Sequence, residues 1–229
     1  IMLCCKALIC LGFLFFAVSS ASAFSQKIGL RSDTPSPPRH ASTLQAAEPA
    51  AAHSSAIWTE EQLLDYAQDQ GVSLSFSTLG PGYRAVARAK HNESIILGYC
   101  EGFLRPGGQV LHLDKMEVFQ KMVSKARDTS PETFNKRGTI FGIGILLGFM
   151  CLLHGRENGY SVGEFLAIDD EESQHRKLVK YYERSGFRII KYVGDDFKDI
   201  PDRMLWGGCG TLMREQIDSL LQNWTQLFE

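Results

Sequence analysis

The chain carries no marked excess of either charge. Twenty-four Lys and Arg stand against 26 Asp and Glu, a formal net charge of −2, which leaves no electrostatic footprint for nucleic acid. Cysteine is sparse. Three of the six, Cys4, Cys5 and Cys10, fall at the extreme N-terminus. Cys100, Cys151 and Cys209 remain, an odd number without metal-ligand spacing, so neither a disulfide framework nor a metal site is expected. The apolar run Ile140–Leu153 falls short of the roughly 20 residues a membrane helix needs, and no mature membrane span is expected. No Ser-His-Asp or Cys-His order stands out, which argues against an acyl-enzyme. No internal repeat is visible.

Hydrophobic residues make up 44% of the 229, ordinary for a globular chain of one domain or two small ones. The first 55 residues are different. Lys6, the apolar stretch Ala7–Val18 and the small residues Ala21-Ser22-Ala23 read as a signal peptide over residues 1–23. Residues 24–55 are rich in Ser, Ala and Pro, with Lys27, Arg31 and Arg39 against Asp33 and Glu48. Such a segment buries too little apolar surface to fold and has transit-peptide composition. Ala21-Ser22-Ala23-Phe24 resembles the Ala-Ser-Ala-Phe-Ala-Pro junction of bipartite leaders in algae with secondary plastids, departing at Ser25 and Gln26. The resemblance implies the plastid stroma. Secretion is the alternative, and only then would the sequons at Asn92 and Asn223 matter.

Residues 56–229 read as the folded domain. Thr59-Glu60-Glu61-Gln62 is a capping box for a helix that Gly71 stops. Val72–Leu79, Tyr83–Lys90 and Ser94–Leu104 alternate apolar and polar residues and are separated by Gly, Pro and Asn turns, which predicts an antiparallel meander. Gln109–Phe119 is a fourth strand, expected to set Val110, His112, Asp114 and Met116 on one side and Leu111, Leu113, Lys115, Glu117 and Phe119 on the other. Phe119–Ala126 predicts a helical turn or two, and 128–135 a loop. An apolar helix follows to about Leu153, ended by Gly155 and Gly159. Glu164–Ile168 is a central strand. Ser173 caps a helix that Gly186 ends, and Arg188–Val193 is the next strand. Gly194–Asp202 is an acidic loop, either solvated or forming a rim for cationic acceptors. Arg203–Trp206 is the last expected strand. From Leu212 onward, apolar residues recur at helical spacing through Phe228, a face that packs on the sheet or on a second copy of the chain.

Two motifs carry chemistry. Gly142 and Gly144 form a turn opening a helix, which offers unpaired N–H groups and a positive dipole end to a pyrophosphate. The later helix closes as Tyr181-Tyr182-Glu183-Arg184-Ser185-Gly186-Phe187. Together, residues 139–190 resemble the acyl-CoA-binding core of the GNAT superfamily of N-acyltransferases. Its phosphate loop has the form Gln/Arg-x-x-Gly-x-Gly/Ala, which Thr139-Ile140-Phe141-Gly142-Ile143-Gly144 matches at both glycines and departs from at Thr139. Its next helix often ends Leu-Tyr-Glu-Lys-x-Gly-Phe. An Asn is common seven residues before that tyrosine, where this chain has His175. Leu205-Trp206-Gly207-Gly208-Cys209-Gly210-Thr211 also resembles a group of plant and algal GNAT-like proteins. The resemblance covers residues 57–229, with its motifs in the second half.

The resemblance implies an α+β (mixed α/β) fold, a mostly antiparallel twisted sheet of six to seven strands with helices on both faces. It implies acetyl-CoA as co-substrate and an amine acceptor. The fourth strand should splay from the strand after the phosphate helix. Acetyl-CoA should then meet Val118, whose backbone N–H would polarise the thioester carbonyl, the stretch Thr139 to Gly144 (Ile140, Phe141, Gly142, Ile143), and Asp169 and His175. Glu117 is the expected base, with Asp114 in reserve. Tyr182 is the expected acid, and Tyr181 is expected to pack inward. A base helps supply the cost of deprotonation, and the leaving thiolate benefits from a nearby acid. A lysine-like amine with a pKa of about 10.4 is neutral in about one molecule in a thousand near pH 7.4, so deprotonation costs roughly 4 kcal/mol. The alternative is a GNAT-like module that binds acyl-CoA or a partner without turnover. Residues 119–137 interrupt the family plan and read first as a solvated insertion; the alternatives are a cover for the acceptor groove, which would favour the binding module, or a basic reach to the 3′-phosphate of CoA.

Overall fold

The computed structural model describes residues 56–130 and 140–228. The expected signal peptide and transit segment, Thr139 and most of the loop at 128–135 lie outside the described residues. Helix α1 (Glu60–Asp69) starts at the expected capping box, Thr59 accepting from the Gln62 N–H and Gln62 from the Thr59 N–H. It buries Leu63 and Ala67. The meander follows as β1 (Val72–Leu79), β2 (Gly82–Ala89), β3 (Asn92–Leu104) and β4 (Val110–Val118). Next come α2 (Gln120–Thr129), α3 (Ile140–Glu157), β5 (Val162–Ile168), α4 (Glu172–Arg184) and β6 (Arg188–Val193). A 3₁₀ turn at Phe197–Asp199 leads into α5 (Ile200–Trp206), then β7 (Gly210–Gln216) and α6 (Ile217–Phe228).

The seven strands form one sheet in the order β1-β2-β3-β4-β5-β7-β6. Every neighbouring pair is antiparallel except β4 with β5, which is parallel. Helices cover both faces. Gly163 and Phe165 of β5 face Leu152 of α3, Tyr182 of α4 and Leu220 of α6. Across the sheet, Trp206 of α5 stacks on His112 of β4. Helix α3 is apolar on all sides, which suits a buried helix, and Ile143, Leu147, Phe149 and Leu152 are almost fully enclosed. The apolar face of α6 packs inside the chain through Ile217, Leu220, Leu221 and Trp224. No helix among the described residues is long and apolar enough to cross a membrane.

Several local expectations are corrected. Helix α3 runs past Gly155 to Glu157 and stops at Gly159, whose φ of 79° suits glycine alone. Gly155 serves packing instead, since a Cβ there would lie 3.1 Å from Leu111 and 3.2 Å from Ile217. Helix α4 starts two residues earlier than a Ser173 cap would place it, and Glu171 accepts from the Ser173 hydroxyl at 2.7 Å. Residues 203–206 are helical rather than extended, and Leu212 and Met213 belong to β7. The acidic segment does not form a free rim. Asp195 pairs with Arg203 at 2.7 Å, Asp196 with Lys198 at 3.2 Å and Asp202 with Lys191 at 2.5 Å, while Asp199 accepts from the Gly194 N–H.

The β4 alternation is also corrected. Glu101 pairs with Lys115 but Gly102 pairs with Leu113, so Asp114 is the extra residue of a β-bulge. A bulge exchanges the two faces of a strand beyond it. Leu111 packs against α3, and so do Met116 and Val118. Lys115 and Glu117 therefore fall on the side of His112.

Candidate active site

Strands β4 and β5 pair through Val110–Val162, Leu111–Gly163 and His112–Glu164 and no further. Beyond this crotch β4 continues to Val118 beside β3, and β5 continues to Ile168 beside β7. The strands part, as expected from the resemblance, and a cleft fills the gap. Its walls are Leu113, Asp114 and Met116 of β4, Phe165 and Ile168 of β5, Gly144, Ile145 and Gly148 of α3, and Leu178, Tyr181 and Tyr182 of α4. Trp224 closes it, donating its Nε1–H to the Ser185 carbonyl at 2.7 Å. The cavity volume is ≈ 90 Å³, against the 10–15 Å³ that one water requires.

The edge of β4 that faces this gap is polar. Phe119 donates to the Leu97 carbonyl at 2.7 Å. Hydrogen-bonded and non-hydrogen-bonded pairs alternate along an antiparallel ladder. The adjoining pair Val118–Gly98 is therefore the non-bonded kind, and Val118 turns its N–H and carbonyl toward the gap. Met116, two residues back, does the same. A thioester arm lying in the gap would find backbone donors and acceptors on one side and apolar side chains around it.

Helix α3 opens at the same cleft. The expected phosphate turn is helical from Ile140 onward, so Gly142 and Gly144 lie in its first turns and not in a loop. The N–H groups of residues 140–142 have no partner within the helix. One turn further in, a Cβ on Gly144 would lie 3.7 Å from Met116 Sδ, 3.9 Å from the Tyr181 hydroxyl and 4.0 Å from Val118 Cγ2. Gly144 thus leaves the passage between α3 and β4 open.

The two tyrosines share the α4 wall. The Tyr182 ring packs on Phe165 at 4.1 Å between centroids. Tyr181 was expected to pack inward, but it lines the cleft with its hydroxyl beside Gly144. Burial pushes the Tyr181 phenol above its ordinary value, against a smaller opposing effect of Ser185. It therefore stays protonated at neutral pH. Neighbouring positions on a helix lie about 100° apart, so both can face a cleft running along its flank; that adjacency was the available signal for Tyr181.

The expected carboxylates separate. Glu117 does not line the cleft. It accepts from the Tyr99 hydroxyl at 3.0 Å and lies 3.7 Å from Lys115 Nζ. Arg84 and Lys115 lie over the Tyr99 ring at 4.6 and 5.3 Å. Burial, the first cause, and the bond to Glu117 raise the Tyr99 phenol above its ordinary value, against an opposing effect of Lys115. Asp114, turned out by the bulge, lines the cleft and also a second groove formed with Ser77, Arg84, Glu101 and Phe103. It is the carboxylate that both openings share.

Asp169 and His175 also stand apart from the cleft. Asp169 accepts from the Tyr192 hydroxyl at 2.9 Å and faces His175 Nδ1 at 3.6 Å, while His175 Nε2 lies 3.0 Å from Thr211 Oγ1. That bond to Asp169 raises the Tyr192 phenol. The charged cluster below the crotch has no signature in the sequence, because its members come from separate elements. There Glu164, 2% exposed, accepts from Arg105 Nη2 at 2.8 Å and from Arg214 Nε at 2.6 Å.

No family model and no curated protein matches the chain. Among solved structures it is similar to a nourseothricin acetyltransferase at 14% identity, covering 65% of this chain and 85% of that one with a TM-score of 0.38. It is similar to a GNAT-family acetyltransferase from Staphylococcus aureus Mu50 at 18% identity, covering 60% and 68%, TM-score 0.39. A Bacillus subtilis acetyltransferase in complex with CoA is 17% identical, covering 59% and 76%, TM-score 0.36. Likenesses this remote leave the chemistry to be argued from the cleft itself.

Proposed function

We propose that the domain is an acyl-CoA-dependent N-acyltransferase that moves an acetyl group from acetyl-CoA to an amine by direct attack. The observation that carries this reading is the parting of β4 and β5 after His112–Glu164 around a cleft that the start of α3 also enters. The pantetheine arm lies along the free β4 edge, and its diphosphate meets the first-turn N–H groups of α3. The Val118 N–H supports the oxyanion. Asp114 takes the amine proton, directly or through water, as the amine nitrogen bonds to the carbonyl carbon. The carbon–sulfur bond then breaks, the CoA sulfur takes a proton from Tyr182, and the second proton leaving the nitrogen restores the phenol through water.

Glu117 is engaged by Tyr99 and Lys115, so the base role passes to Asp114. A binding module without turnover is the competing reading; a carboxylate shared by the cleft and the adjoining groove favours the enzyme.

Labelled acetyl-CoA with a panel of amines tests the proposal by following CoA release. The expected result is release with at least one amine, slowed about 10²-fold by Tyr182→Phe, the lower end for a general acid. A thiol of pKa near 8.5 needs only modest help to leave. Release unchanged by the substitution would remove Tyr182 from the mechanism. Absence of release with every amine would favour the binding module.

A further inference from the structure

We infer that His112 is a positioning residue that holds Asp114 through a fixed Nε2–H donor. This rests on the reading of Asp114 as the base. His112 belongs to the last β4–β5 pair, two residues before the bulge. Its imidazole is fully buried, clamped between Phe103 at 4.2 Å and Trp206 at 3.8 Å between ring centroids, with interplanar angles of 24° and 16°. The ring plane is thereby set by two aromatic neighbours.

The proton is set as well. Nδ1 lies 3.3 Å from Arg105 Nη2, and that same nitrogen donates to Glu164 at 2.8 Å. A guanidinium has donors only. Nδ1 must therefore present its lone pair, and the neutral ring carries its proton on Nε2. Nε2 is buried and makes no hydrogen bond among the described residues. It faces Asp114 Oδ1 at 3.7 Å. Asp114 is the extra, unpaired residue of the bulge, and a shift of roughly half an ångström brings the pair within hydrogen-bond distance. The ring cannot pass the proton on, because Arg105 occupies its other nitrogen. Asp114, with its side chain 54% exposed, exchanges with solvent instead.

The test has two parts. The first needs no turnover: long-range ¹H–¹⁵N spectra of histidine-labelled protein should show His112 as the Nε2–H tautomer, with its Nε2 signal moving in Asp114→Asn. A proton on Nδ1, or an Nε2 signal indifferent to Asp114→Asn, would overturn the inference whether or not any amine is acylated. The second uses kinetics. His112→Leu should lower kcat about 10-fold at unchanged KM for acetyl-CoA, the effect of a small misplacement of a reacting group. His112→Gln, whose amide N–H reaches the Nε2 place, should recover most of the loss, and His112→Leu should add nothing in an Asp114→Asn background. Additive losses, or no recovery with Gln in a normally folded variant, would count against positioning. Wild-type inactivity would sink the proposed enzyme while leaving the spectra to decide the contact.

Discussion

As the proposed base, Asp114 is expected to be worth about 10³-fold in kcat, lost in Asp114→Asn with the affinity for acetyl-CoA unchanged. The amide keeps the size and shape of the carboxylate but cannot take a proton. An amine that is charged in all but about one molecule in a thousand must then lose its proton unaided, a cost of roughly 4 kcal/mol. General bases typically supply 10²–10⁴-fold, and this acceptor demands much of that range. In the proposed site acetyl-CoA meets backbone groups and apolar side chains, to which Asp114 adds little. Steady-state kinetics with acetyl-CoA titration on the same protein separates the two effects. Glu117→Gln is the control and should cost far less, because Glu117 lies outside the cleft and bonds to Tyr99. If the two substitutions exchange their effects, the bulge does not choose the base.

Gly102→Ala is expected to destabilise the domain by about 3 kcal/mol or more. A Cβ at Gly102 would fall 2.0 Å from the His112 carbonyl oxygen and 2.5 Å from the Tyr83 hydroxyl. Those two atoms are themselves hydrogen-bonded at 2.9 Å in the core. Neither the backbone nor the enclosed phenol moves cheaply, so the cost lies at or above the usual 1–3 kcal/mol of overpacking. The site lies beside the bulge and the crotch, so the cleft should distort with it. Gly208→Ala, where a Cβ meets nothing within 4 Å, should stay within about 0.5 kcal/mol of wild type. Urea denaturation of the three proteins checks both statements, and a Gly102→Ala midpoint equal to that of wild type would contradict the close approach.

These two residues also mark where sequence reading stops. The Thr59 capping box, the meander and β5 are local patterns and were legible. The parting of β4 and β5 was expected only through a family resemblance, because nothing in either strand's own pattern announces it. The Asp114 bulge was invisible, since Gly102 fits it from the neighbouring strand. Helix α5 did carry a signal, Pro201 at its start and Gly207 in the left-handed region at its end, which its short length hid. In β7 both faces are mostly buried, so Leu212 and Met213 passed for helix. The His112 environment draws Phe103, Arg105, Glu164 and Trp206 from separate elements and has no sequence signature.

Calorimetric titration of acetyl-CoA into wild type and Gly144→Leu tests the cleft most directly. Gly144 faces Met116, Val118 and Tyr181 across the passage, and a leucine there would occupy the space assigned to the thioester arm. The expected result is wild-type binding with a Kd between about 1 μM and 1 mM, the usual range for an enzyme and its substrate, and a loss of at least roughly tenfold, 1.4 kcal/mol, in the variant. No binding by wild type, or equal binding by a folded Gly144→Leu protein, would contradict an acyl-CoA site between β4 and β5.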